Sequence, residues 1–354
     1  MKAAWNNPER LLDFLSSERK RLSPLLVLTH DYPDPDSMAS AAALRYLAEK
    51  QFRIKARIAY GGIIGRDENS KMVRTLKLPV QKYRPDDLKR FAGFALVDTQ
   101  PAFGNNPFPE VRKPSLIIDQ HPSVRQPVAD FVLVDPTAGA TSILLAEALL
   151  HSGIDIPRNL ATALVYGILT DTMNFLRDRR QRIITTYLSL LPLSDIGSLA
   201  HIQYPSRPRS FFTQFARAME DAVIHRRLIV THLGEVRSPD QISAMAEFLL
   251  TCKGMLWSFC TGRIGGNLHF SLRTANARGR ADIILRSILG ESDQAGGRGN
   301  VAAGKTIIGS DKHESEWLIN EYSLTRRLVK RLRMGGSENM RWLVHDGKRR
   351  EPGA

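Results

Sequence analysis

The segment Thr29-His30-Asp31-Tyr32-Pro33-Asp34-Pro35-Asp36-Ser37 sets one imidazole and three carboxylates within seven residues, directly after the apolar run Leu25-Leu26-Val27-Leu28. Carboxylates this close repel one another unless cations neutralise them. Imidazole with carboxylate suits manganese, magnesium or iron better than a thiolate site would. The alternative is a solvated acidic turn, since Asp and Pro are ordinary turn formers.

Three further segments supply the same kind of group. Ala95-Leu96-Val97-Asp98 ends in a carboxylate, Leu116-Ile117-Ile118-Asp119-Gln120-His121 in Asp and His, and Gly167-Ile168-Leu169-Thr170-Asp171 in another Asp. One strand-terminal Asp is usually a turn residue or helix cap. Four segments that converge are what a two-metal site needs, because two ions about 3.5–4 Å apart require a bridging carboxylate and ligands from both sides.

The elements that must position these groups read as alternating strands and helices. Strands are expected at 25–29, 54–60, 94–97, 115–118 and 131–134, and helices at 38–50, 68–78, 142–150 and 160–169. This predicts an α/β fold with a mainly parallel sheet, helices on both faces, and the acidic groups at the carboxyl ends of the strands. A smaller C-terminal α/β domain with a mixed sheet is expected from strands at 228–231, 255–261 and 267–273 and helices at 281–289 and 314–331. The boundaries read as a catalytic domain 1–180, a helical linker 181–228, a second domain 229–334 and a basic tail 335–354.

On these residues the chain resembles the DHH-family phosphoesterases, a group that includes RecJ-type exonucleases, nanoRNase/pAp phosphatases and cyclic-dinucleotide phosphodiesterases. His30-x3-Asp34-x-Asp36 is similar to the first motif, Asp98 to the second, Asp119-Gln120-His121 to the third and Asp171 to the fourth. Phe270-Ser271-Leu272-Arg273 and Gly296 to Gly304 resemble the family's associated C-terminal domain, so the likeness runs over about residues 22–332. It implies a two-ion manganese or magnesium centre, with His30, Asp34 and Asp98 on one ion, Asp36, Asp98 and Asp171 on the other, and Asp98 bridging. It implies that His121 faces the substrate phosphate. Arg273, Gly296, Gly297, Arg298 and Gly299 would bind the rest of the substrate. The activity implied is attack of water on a small nucleotide or short oligonucleotide. Alternatives are a cyclic-dinucleotide phosphodiesterase, a polyphosphate or pyrophosphate hydrolase, and a catalytically weak nucleotide-binding regulator.

Two positions depart from the family pattern. Gln120 stands where a histidine ligand of the second ion is usual, so that site keeps only a neutral amide oxygen and is weakened. Arg298 stands where a substrate-contacting histidine is usual, and its permanent charge excludes any role that needs a neutral imidazole.

Composition fits this reading. The 354 residues are 43% hydrophobic and 24% charged, enough for two cores. The net charge of +14 favours phosphate-bearing partners, here a small nucleotide or short single strand. The sequence shows neither an apolar signal core at its start nor a run of about 20 apolar residues, so a cytoplasmic location without membrane contact is expected. Cys252 and Cys260 have no framework or zinc spacing. A homodimer is expected on the general frequency of dimers alone.

Overall fold

The computed structural model describes residues 7–65, 67–176, 178–204, 206, 208–276, 279–290, 294–335 and 340–344. The chain divides into two compact units, Met1–Pro205 and Ser206–Ala354.

In the first unit six strands form one sheet: β1 Leu25–Leu28, β2 Ala56–Tyr60, β3 Val80–Lys82, β4 Gly93–Val97, β5 Leu116–Asp119 and β6 Phe131–Val134. Their order is β3-β2-β1-β4-β5-β6 and every pair is parallel. The order reverses between β1 and β4. At such a switch point the loops leaving two adjacent strands diverge and open a crevice at their carboxyl ends. His30 follows β1 and Asp98 follows β4, so the reversal itself brings the first two acidic segments together.

The strands are apolar on both faces, as parallel strands covered on both sides must be. Leu25, Val27, Ala95, Val97, Leu116 and Ile118 face a large core under the helices Pro35–Phe52, Thr141–Ser152 and Arg158–Asp171. Leu26, Leu28, Phe94, Leu96 and Ile117 face a smaller layer closed by Phe108, Tyr83, Leu88 and Phe91, two of which flank or sit on the short helix Asp87–Arg90. Helix Pro35–Phe52 packs on the other two long helices. A side chain at Gly167 would put its Cβ 2.5 Å from Ser142 Oγ and 3.1 Å from Asp36 Cα, so the glycine is what lets three helix ends meet at the site.

That first helix starts at Pro35 and not at Met38. Asp34 is its cap: the carboxylate accepts the Ser37 N–H, Ser37 answers the Asp34 backbone, and Pro35 enters with the fixed φ a first helical residue needs. Strand β3 was not among the expected elements, since three half-exposed residues carry no pattern.

The stretch 181–228, expected as a helical linker, is divided between the two units. Ile183, Leu190, Leu199 and Ile202 are buried in the first unit's core, and burial of this apolar face makes Gln181–Gln203 part of that unit. Beyond the boundary, Val223–His225 is already a strand of the second sheet.

The second unit holds β7 Val223–His225, β8 Leu228–Glu235, β9 Trp257–Ile264, β10 Asn267–Thr274, β11 Gln294–Arg298, β12 Val301–Ile307 and β13 Arg341–Trp342. Their order is β11-β12-β10-β9-β8-β7-β13, antiparallel except for β8 and β9. A parallel pair needs a crossover, which helix Pro239–Leu250 provides. The architecture is therefore the expected one, a parallel α/β sheet followed by a smaller mixed sheet. Of the expected tail, Arg341–Trp342 adds an edge strand to β7, while 336–339 and 345–354 lie outside the described residues. Among the described residues no single helix is long and apolar enough to cross a membrane.

Candidate metal centre

Asp98 stands at the middle of the site. Its backbone has φ 59, a left-handed conformation that costs a non-glycine residue about 1–3 kcal/mol and that clusters at functional sites. The residue is 3% exposed. Its two oxygens look in different directions: Oδ2 lies 3.7 Å from His30 Nε2, and Oδ1 lies 3.6 Å from His121 Nδ1. Thr141 Oγ1 donates to Oδ1 at 2.7 Å and accepts the Gln120 backbone N–H at 3.2 Å, tying the second and third acidic segments to one hydroxyl.

On the first side, His30 Nε2 is also 3.7 Å from Asp34 Oδ1, and His30, Asp34 and Asp98 present donor atoms all within 4.8 Å of one another. On the other side a second such group is formed by Asp98, Asp119 and His121. Asp119 Oδ1 accepts from the His121 backbone N–H at 3.0 Å and meets ring Nδ1 at 2.8 Å. Its Oδ2 accepts from Gln100 Nε2 at 2.7 Å.

The remaining expected ligands are held by N–H donors. Asp36 accepts the Thr141 and Ser142 backbone N–H groups, each at 2.7 Å, at the open end of helix Thr141–Ser152. Gln120 Nε2 donates to Asp171 Oδ2 at 2.6 Å. Gln120 also lies 3.3 Å from His121 Nε2. The structure thus collects His30, Asp34, Asp36, Asp98, Gln120, His121 and Asp171 at the carboxyl edge of the sheet. Asp31 stays apart from the cluster: its backbone N–H donates to Asn105 O at 2.7 Å.

Electrostatics test whether these groups suit cations. Burial, and then Asp36 and Asp34, push the Asp98 carboxyl well above the ordinary Asp value. Burial, and then Asp171 and Asp34, do the same to Asp36. Burial opposes ionisation of Asp34 too, but His30 and the Ser37 cap outweigh it and hold that carboxyl down at about 2. Burial acts to lower the His30 imidazole, and Asp34, Asp31 and Asp119 together carry it above its usual value. Among the described residues no Lys or Arg pairs with Asp34, Asp36, Asp98 or Asp119. Crowded carboxylates with imidazoles and no fixed side-chain cation are a donor set that fits hard divalent ions.

In the second unit, Arg273 is on β10, 7% exposed, with Nη1 3.9 Å from Glu247 Oε2. It is paired in register with Val301 of β12. Gly296 and Gly297 are not in a free loop but in edge strand β11, opposite Ala303 and Ala302, and Gly299 with φ 59 makes the β11–β12 turn. Arg273 and the glycine segment are therefore neighbours in one sheet. Arg298 is opposite Val301 by its backbone, and its side chain lies outside what the structure describes.

Gln100 and Thr141 are not among the residues expected from the sequence. The one available sign for Thr141 is the start Gly139-Ala140-Thr141-Ser142, a helix whose own cap position is an alanine and so needs a cap from elsewhere. Gln100 has no local signal, as its partners are 19 and 21 residues away.

No family model matches the chain. An uncharacterized protein of Methanocaldococcus jannaschii is 33% identical over 324 residues, which cover 88% of this chain and 65% of that protein. A probable manganese-dependent inorganic pyrophosphatase of Streptococcus equi subsp. zooepidemicus is 27% identical over 161 residues, 43% of this chain and 49% of that protein. The chain spans less than two thirds of the length of either relative. Among solved structures, an exopolyphosphatase-related protein from Bacteroides fragilis has a TM-score of 0.71 at 16% identity, covering 94% of this chain and 99% of that one. The two share a fold.

Proposed function

We propose that the chain is a divalent-metal-dependent phosphoesterase of the DHH type, which hydrolyses a small nucleotide or short oligonucleotide. The observation that carries this is the buried Asp98 carboxylate, which stands beside His30 and Asp34 on one side and near enough to Asp36 and Asp171 for their charges to raise its pKa. A single buried carboxylate shared between two donor groups is the bridge a two-ion hydrolase requires.

His30, Asp34 and Asp98 would hold the first ion, and Asp36, Asp98, Gln120 and Asp171 the second. Bound ions would supply neutralisation of the phosphoryl charge and a water nucleophile active near neutral pH. The chain's own residues do the rest. Thr141 fixes the Asp98 carboxylate through its hydroxyl, and the Asp34 cap keeps that carboxylate aimed at His30. Asp119 holds His121 by Nδ1, which leaves Nε2 to exchange a proton at the substrate phosphate. In the second unit, Arg273 and the β11–β12 turn beside it in the same sheet are a guanidinium and a backbone turn suited to anionic oxygens.

A second reading, hydrolysis of pyrophosphate or polyphosphate, is favoured by the similarity to the probable manganese-dependent inorganic pyrophosphatase of Streptococcus equi. Both readings use the same centre and differ in whether a base is bound. A manganese-supplemented panel of pAp, a dinucleotide, cyclic dinucleotides and pyrophosphate, with Asp98→Ala as blank, separates them. Turnover of pAp or the dinucleotide above pyrophosphate is expected. Turnover of none sinks the enzyme assignment and leaves the nucleotide-binding regulator.

A further inference from the structure

Gln100 lies two residues beyond Asp98 and is 1% exposed. Its Nε2 donates to Asp119 Oδ2 at 2.7 Å and to the His121 backbone O at 3.0 Å. Both partners are acceptors, so only the amino end of the amide can face them. The cost is on the other side, where Oε1 is buried with no hydrogen-bond partner. A stranded buried acceptor costs about 1–3 kcal/mol, which an apolar side chain of the same length would avoid.

The retained cost secures a particular geometry. With Oδ2 held by Gln100, the Asp119 carboxylate cannot rotate, and Oδ1 meets both the backbone N–H and ring Nδ1 of His121. The same amide nitrogen also pins the His121 main chain. Phe103 sits edge-on against the imidazole with ring centroids 6.3 Å apart. The Gln100 backbone O is itself fixed by Asn106 Nδ2 at 3.0 Å. Rotation of the ring is thereby stopped, the proton is placed on Nδ1, and Nε2 is left without one, 3.3 Å from the Gln120 amide nitrogen. Partners of this kind orient an imidazole without touching the reacting atoms.

We propose that Gln100 is a positioning residue for catalysis, acting through Asp119 to set the tautomer and orientation of His121. This rests on the phosphoesterase reading of the same site. The test is Gln100→Met, which keeps the length of the side chain and removes its donors. Removing such an outer partner typically lowers activity about 10–100-fold. The expected result is a fall of that size in kcat that does not follow any change in KM for the phosphate ester, Mn²⁺ affinity or Tm. In ¹⁵N spectra of histidine-labelled protein, assigned with His121→Ala, the His121 ring should pass from a single Nδ1–H form to a mixture. If wild-type kcat persists, or if activity falls only in step with Mn²⁺ affinity or Tm while the ring signal stays fixed, Gln100 is not a positioning residue. If the wild-type chain turns over no phosphate ester yet its ring loosens in Gln100→Met, the function fails and the clamp on His121 stands.

Discussion

Thr141 Oγ1 donates to Asp98 Oδ1 at 2.7 Å while accepting the Gln120 backbone N–H at 3.2 Å. One hydroxyl therefore sets the direction of the Asp98 carboxylate and the place of the third acidic segment. Thr141→Val keeps the shape and removes both bonds. We expect Mn²⁺ affinity to fall about 10–100-fold, the usual effect of losing a group that orients a ligand. Isothermal titration with Mn²⁺ measures this, and an unchanged isotherm would show that Asp98 needs no such support.

Gln120, on the side proposed for a second ion, already donates by its amide to Asp171 at 2.6 Å. Imidazole is a stronger ligand for manganese than a neutral amide. Gln120→His should raise the ions retained after equilibrium dialysis from about one to about two per chain, the count a two-metal centre requires. Equal retention in both proteins would remove Gln120 as the cause of a weak second site.

Arg182 joins two carboxylates in the first unit, Asp135 at 2.6 Å and Glu147 at 2.7 Å. Burial opposes ionisation of Asp135, but Arg182 and Thr137 prevail and hold its carboxyl below the ordinary value. A depressed carboxyl binds fewer protons folded than unfolded in that interval, so its contribution is present above the ordinary Asp value and is lost as pH falls through the depressed one. In thermal melts on the acid side, Arg182→Gln should flatten the drop in Tm. A drop as steep as in the wild type would assign the acid sensitivity to other groups.

Arg263 and Glu321 form a buried pair in the second unit, Nη2 to Oε2 at 3.0 Å and Nε to Oε1 at 3.2 Å, with Glu321 fully buried. Glu321→Ala removes the buried partner and leaves Arg263 with Glu314 alone, at 2.6 Å, so the loss falls between that of an exposed pair and the about 3–5 kcal/mol of a buried charge left uncompensated. Denaturant melts followed by tryptophan fluorescence report it, since Trp317 lies against Arg263 at 5.2 Å. A loss below about 1 kcal/mol would class the pair with exposed ion pairs.

Much of the first unit was readable because β1, β4, β5 and β6 are short apolar runs that lead into acidic residues. Leu25–Leu28 and Leu116–Asp119 announce both the element and the edge where chemistry collects. Asp34 misled on the helix start because one carboxylate does two jobs, cap and neighbour of His30. Strand β11 is absent from the elements expected because Gly296 and Gly297 leave no alternation to reveal it, and its strand character comes from pairing with β12. Gln100 and Thr141 act only through partners on other strands and helices, so their roles follow from the topology and not from their own neighbourhoods.

Helix Thr141–Ser152 begins after Ala140, which has no side chain to cap it, and takes its cap from Asp36, 105 residues earlier in the chain. Its first turn cannot be completed by local contacts, and closing so long a loop comes slowly. The two leading amides of that helix should stay open to hydrogen exchange until the segment after β1 has docked. Asp36 thus ties the segment after β1 to the start of a helix that follows β6, so one carboxylate couples two parts of the site that lie far apart in the chain.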